Sequence, residues 1–151
     1  MSFFRKAYSI VGALLLLDVL VQFFFIGAAI FTIFGEANNG VAAQKALDDS
    51  GFYVIAHVLN GAAMAVLILL LVGLSFGARY PWRTTGLTAL LFLLLALQSL
   101  LAHTGIAAVS ALHVINGLVI LGLVGYLTRT SVAFRDRPAV VEPQRAIPIE
   151  S

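Results

Sequence analysis

Four runs of apolar residues, 7–34, 52–76, 84–102 and 107–127, occupy most of the chain. A helix needs about 20 residues at roughly 1.5 Å rise each to cross the hydrocarbon core of a bilayer, and every run reaches that length. With 61% hydrophobic and 11% charged residues among 151, the chain has too few charges to cover a water-soluble globule. Backbone inside lipid must satisfy its own hydrogen bonds, so Leu-rich runs without strand alternation select helices over a barrel. The expectation is an all-α integral membrane four-helix bundle over 1–130, followed by a disordered cytoplasmic tail, 131–151, with three prolines, mixed charge and no helical period. The run after Lys6 is longer than the roughly 7–15 apolar residues of a secretory signal, so an uncleaved first helix is expected.

Charge sets the orientation. Arg5 and Lys6 precede the first span, Arg79 and Arg83 join the second to the third, and Arg129, Arg135, Arg137 and Arg145 follow the fourth. Only Lys45 falls on the opposite side, beside Glu36, Asp48 and Asp49. The positive-inside rule therefore places both termini in the cytoplasm, with the loop 35–50 and the turn around Thr104-Gly105 outside. In the outer loop Asn38-Asn39-Gly40 signals a turn, and Asp48-Asp49-Ser50 offers caps for the second span. Gly105 suits the left-handed residue that ends a helix. On the inner side Tyr80-Pro81-Trp82-Arg83 combines a helix stop with interfacial aromatics.

The chain contains no cysteine, which excludes disulfides, thiolate metal sites and covalent c-type haem attachment. Ionisable side chains inside a bilayer are costly and mark function by default. Two histidines stand in matched motifs, His57-Val58-Leu59-Asn60-Gly61 and His113-Val114-Ile115-Asn116-Gly117. The preceding span carries Gln22 in the first case and Gln98 in the second, so the membrane part reads as a parallel repeat of two helix pairs. Each histidine lies about 9 Å into its span from the outer end, the arrangement for ligating a b-type haem across a bundle. Gly61 and Gly117, one turn later, leave room for a flat macrocycle, and Asn60 and Asn116 can bond a neighbouring helix or orient a ligand.

Measured from the inner side the two histidines do not match. His57 precedes Arg79 by 22 residues and His113 precedes Arg129 by 16. That difference is about 9 Å of depth, which the second span must absorb by tilting or protruding. Against haem ligation stands a structural reading, in which the histidines only bond neighbouring helices. His103, at the outer end of the third span, is either solvated or a neighbour of the haem edge. Gln22 and Gln98 lie at similar depth and bond the imidazoles or each other. Asp18, the one acid within a span interior, is either protonatable or a structural hydrogen bonder. Gly73 and Gly77 have the spacing of a helix-packing motif, and the inner arginines suit anionic lipid but need no specific site.

The third and fourth spans, through Leu97-Gln98-Ser99-Leu100-Leu101 and Leu112-His113-Val114-Ile115-Asn116-Gly117, resemble the Gln-x-x-Leu-Gly and His-Leu-x-x-Ala helices of the haem A synthase family. The resemblance covers one four-helix half of that family and implies a b-type haem near the outer face, held by the counterparts His57 and His113. Val54 stands where that family has a glutamate, and Val58 where it often has an arginine. The layout as a whole is similar to small bacterial four-helix membrane proteins. The functional expectation is one haem b, with His57 and His113 on the iron and Gly61, Gly117, Gln22, Gln98 and His103 around it, serving electron transfer or haem handling. The alternatives are an accessory or structural membrane subunit without cofactor, and a small proton-coupled transporter using Asp18. The expected partners are the lipid bilayer and a larger membrane complex or further copies of the chain; no nucleic-acid motif is present.

Overall fold

The computed structural model describes residues 2–131. The expected tail thus lies outside the described residues, save for Ser131. Five helices follow in order: α1 (Ser2–Asn38), α2 (Ala43–Asp49), α3 (Gly51–Gly77), α4 (Trp82–Ala102) and α5 (Ala107–Thr130). Among the described residues there is no strand. All but α2 are long and apolar enough to cross a membrane.

The four long helices form a ring. α1 packs on α3 and α5, and α4 packs on α3 and α5, while α3 and α5 face each other from opposite corners. Within the ring α1 pairs most extensively with α3, and α4 with α5, so the bundle is two helical hairpins laid side by side. Its burial pattern is that of a protein in hydrocarbon. Phe24 and Leu93 are each 65% exposed on the outer faces, whereas Ser75 and Thr88 are 0% exposed inside.

The half that holds the α3–α4 connection, labelled inner after the charge expectation, is closed. Leu15, Ile68, Leu71, Leu91, Ile120 and Val124 form its apolar core. Below them the hydroxyls of Tyr8 and Thr88 bond at 2.7 Å across the bundle. Thr88 donates to the Thr84 carbonyl at 2.8 Å, so Tyr8 is the donor to Thr88. The end of α5 is tied in by Ser9, whose hydroxyl donates to the Ser131 carbonyl at 2.6 Å. Gly77 admits the Phe4 ring, which would lie 2.7 Å from a Cβ at that position, while Gly73 has open space before it. The glycine pair therefore serves an α1–α3 contact at one of its two positions.

Helix ends follow local rules with two departures. α1 runs to Asn38, beyond the end of its apolar run, and closes with Gly40 at φ 76°. The Gly40 and Val41 amides donate to the Ala37 and Glu36 carbonyls, a Schellman cap. α4 ends at Ala102 with His103 as its cap, and the left-handed Gly105, at φ 68°, lies three residues past it in the turn to α5. The outer loop departs from expectation by folding into α2, which buries Ala46. Ser50 is helical and continues the chain directly into α3, so its hydroxyl donates back to the Leu47 carbonyl and caps nothing. Lys45 pairs with Asp49 one turn on, and this hydrogen bond holds the Asp49 carboxyl below its usual range. The second departure is Arg79, at φ 51° in a position that glycine normally fills. Its amide and that of Tyr80 donate to the Phe76 and Ser75 carbonyls, so α3 ends in the same cap as α1.

A left-handed residue with a side chain costs about 1 kcal/mol, and a β-branched one more. Arg79→Gly is expected to raise the unfolding midpoint in detergent by the equivalent of about 0.5–1 kcal/mol, and Arg79→Val to lower it. Thermal melts of both variants read the difference; the same change in each would trace it to the lost charge.

Candidate functional site

The outer half of the bundle is built on two copies of one polar cluster. In the first hairpin the Asn60 side-chain amide donates to the Asp18 carbonyl at 3.0 Å and to Gln22 Oε1 at 2.9 Å. In the second hairpin the Asn116 amide donates to the Leu94 carbonyl at 2.8 Å and to Gln98 Oε1 at 2.6 Å. Asp18 lies four residues before Gln22, and Leu94 four before Gln98, so the partners repeat position for position. Each helix carbonyl uses a second lone pair for the asparagine, beyond its own helical bond. The parallel repeat read from the sequence is thus present in the contacts.

The histidines are held in the same way. His57 Nδ1 lies 3.3 Å from the Gln22 carbonyl, and His113 Nδ1 lies 2.9 Å from the Gln98 carbonyl. A carbonyl only accepts, so each Nδ1 carries the proton and each Nε2 keeps its lone pair. This is the backbone hydrogen bond that fixes the tautomer and angle of a ligating imidazole. Between the hairpins the two rings stand 6.2 Å apart, centroid to centroid, with their planes at 52°. They are therefore level with each other despite the unequal distances to the inner arginines. Half of that difference comes from the arginines, since Arg129 lies inside α5 and Arg79 past the end of α3; the rest is α3 running three residues further beyond its histidine.

The hairpins do not close over the rings. One cavity of about 290 Å³ opens between α1 and α5, floored by Val19, Met64 and Ile120 and walled by Phe23, Ile26 and Gly27. Another of about 470 Å³ opens between α3 and α4, lined by small residues including Gly61, Ala62, Ala65 and Ala96. Gln22, His57, Leu95, Gln98 and His113 border both. The two cavities are the edges of one slot between the hairpins, with an imidazole on either wall.

The expected site residues come together, with different immediate neighbours in places. Opposite Gly61 and Gly117 lie the side-chain amides of Gln22 and Gln98, 3.5 and 3.4 Å from a Cβ at those positions. Phe23 also presses on Gly117, at 3.3 Å. The glycines thus accommodate the glutamines at their own helix interface. His103 caps α4 at the outer mouth of the α3–α4 cavity, where its Nδ1 bonds the Ser99 carbonyl at 2.7 Å. Asp18 joins the cluster through its backbone carbonyl, while its carboxyl Oδ2 is buried without a hydrogen-bond partner among the described residues. Sequence reasoning missed Phe23, Leu95 and Met64. Only the adjacency of Phe23 to Gln22 offered a signal; the others are ordinary apolar residues until the helices are packed.

Among the described residues no three His, Asp or Glu side chains converge to hold a bare metal ion. Two imidazoles alone suit an iron whose other positions a macrocycle fills. Comparison with protein-family models, with curated proteins and with solved structures gave no match to this chain.

Interhelical hydrogen bonds in membranes contribute about 0.6–2 kcal/mol each. Asn60→Ala and Asn116→Ala each remove two, so each variant is expected to lose about 1–3 kcal/mol of stability, with nearly equal losses. Unfolding in mixed detergent and SDS measures this; a loss confined to one variant would deny the two clusters equivalent roles.

Proposed function

We propose that this protein binds one b-type haem between His57 and His113 and uses it for electron transfer or haem handling. The observation that carries the reading is the pair of imidazoles 6.2 Å apart across an open slot, each turned by a backbone carbonyl at Nδ1. His57 and His113 would hold the iron through their Nε2 atoms. The apolar walls, including Leu95, Phe23 and Ile120, would keep water from the macrocycle and lower the local dielectric. His103, at the outer mouth, is the polar group nearest the rim. The redox chemistry is that of the haem; the protein sets ligation, orientation and access.

The resemblance of the third and fourth spans to one half of the haem A synthase family supports the same reading. The distribution of basic residues supports a place in the cell membrane with both termini cytoplasmic. The site then lies in the outer leaflet, and electrons reach it through a larger membrane complex or a further copy of the chain.

One contact favours a second reading, a structural or accessory membrane subunit without cofactor. Gln22 Nε2 stands 3.4 Å from His57 Nε2 and can donate to the lone pair that iron would take. Asn60, Gln22 and His57 then satisfy one another, and the cluster serves packing alone. His113 Nε2 has no such partner among the described residues, which weighs toward a ligand.

The reduced-minus-oxidised absorption spectrum of the purified protein separates the two. Low-spin haem b bands are expected in the wild type and in His103→Ala, and their loss in His57→Ala and in His113→Ala. A folded protein that stays colourless after haem supplementation would overturn the haem reading, and co-purification with a fixed partner would then establish the accessory one.

A further inference from the structure

The inner end of the bundle holds a cavity that the haem reading does not use. It measures about 390 Å³ and is walled by Arg5 of α1, Tyr80 of the α3–α4 connection, Arg83 and Thr84 of α4, and Tyr126 and Thr130 of α5. We propose that it binds the phosphate of an anionic phospholipid headgroup.

No acidic side chain lines the cavity among the described residues. Among the described residues Arg5 and Arg83 form no ion pair, and the one salt bridge joins Lys45 to Asp49 at the opposite end of the bundle. Guanidinium groups are well matched to phosphate, which accepts two parallel N–H bonds from a single arginine. Arg5 is also held in place. Its guanidinium lies 5.4 Å from the centroid of the Tyr80 ring, which packs edge-on against Tyr8 at 5.0 Å, and Tyr8 is bonded to Thr88. A cation carried by such a stack has surrendered side-chain freedom before any ligand arrives. α4 starts at the same cavity, with Pro81 as a cap residue that offers no side-chain bond, so the first amides of α4 add positive potential.

Two features point to a lipid over a soluble anion. Trp82, next to Arg83, is 80% exposed, and an exposed tryptophan at a helix end marks the headgroup level. Leu87 and Leu127 form the apolar side of the cavity, in the direction of the hydrocarbon. A phosphodiester with its glycerol and first acyl carbons presents the matching order of charge and apolar surface. The general attraction of basic residues for anionic membranes needs no cavity and no fixed arginine; this arrangement has both.

The experiment uses the full chain reconstituted in equal parts phosphatidylglycerol and phosphatidylcholine, re-extracted in mild detergent and examined by native mass spectrometry for retained lipid. The paired variant Arg5→Gln/Arg83→Gln is expected to cut retained phosphatidylglycerol about tenfold or more. Lys6→Gln/Arg129→Gln removes the same charge from the same end, outside the cavity, and is expected to stay within about twofold of the wild type. Thermal midpoints report folding, and Arg83→Gln alone gives an intermediate loss should the pair fail to fold. Equal losses in the two paired variants, or equal retention of phosphatidylcholine, would overturn the proposal. Displacement of the lipid by inorganic phosphate in the detergent buffer would assign the site to soluble phosphate instead. Retained lipid is read by mass whether or not haem is present, so this result stands apart from the haem spectrum.

Discussion

The asparagine on each histidine-bearing helix sets the geometry of everything around it. In hydrocarbon an amide has no water to turn to, and leaving it unpaired costs several kcal/mol by transfer scales. Asn60 meets that demand only where the Asp18 carbonyl and the Gln22 amide both fall within reach, which fixes the register of α3 against α1. Asn116 fixes α5 against α4 in the same way. Apolar contacts alone would hold these helices together without choosing a register, since one leucine row slides over another at little cost and lipid tails compete equally well. Register decides where the imidazoles point, because each histidine sits one turn before its asparagine and reaches the backbone carbonyl of the same glutamine.

From those two locked hairpins the division of the bundle into halves follows. Inward of the asparagines, Leu71, Leu91, Val124 and Tyr8 interdigitate and the hairpins meet without space for a ligand. Outward of them the two imidazoles and the glutamines face a space walled by small residues on the α3–α4 side and by Phe23 and Ile26 on the α1 side, and the hairpins stand apart. The closed part is filled by branched apolar side chains with a few buried hydroxyls among them, such as Tyr8 bonded to Thr88. The inner end adds a different chemistry, with basic and hydroxyl side chains gathered where α1, α4 and α5 reach the membrane surface.

Much of this was legible in the residues and some was not, for reasons that differ by element. The turns at Gly40 and Gly105 were readable because glycine is favoured where φ is positive, and both positions have it. The same kind of end at Arg79 was hidden, since a charged side chain gives no hint of a left-handed backbone; the Schellman bonds to Phe76 and Ser75 impose it. Helix α2 was read as loop because seven residues with two acids and a lysine carry too little periodicity to separate helix from turn, and Ala46 stays in it through burial beneath α1. The spacing of the histidines from the inner arginines overstated the difference between the two helices, because Arg129 lies within α5 and Arg79 beyond α3; α3 still runs three residues further past His57 than α5 does past His113.

Composition and spacing by themselves determined the class of the molecule: an all-α chain with four helices of membrane-crossing length, and His, Asn and Gly repeated at the same offsets in two of them. Those features are local, set by hydrogen-bond demands within a single segment and by the length of apolar runs. Which helices stand diagonal, that the imidazoles meet at 6.2 Å, that Gln22 and Gln98 lie opposite Gly61 and Gly117, and that Arg5 and Arg83 share a cavity were decided only by the tertiary structure. Helices that are apolar on every side carry no mark of which face turns inward. That choice is made collectively, by the few polar groups that must find one another and by the small residues that let the helices approach closely enough for them to do so.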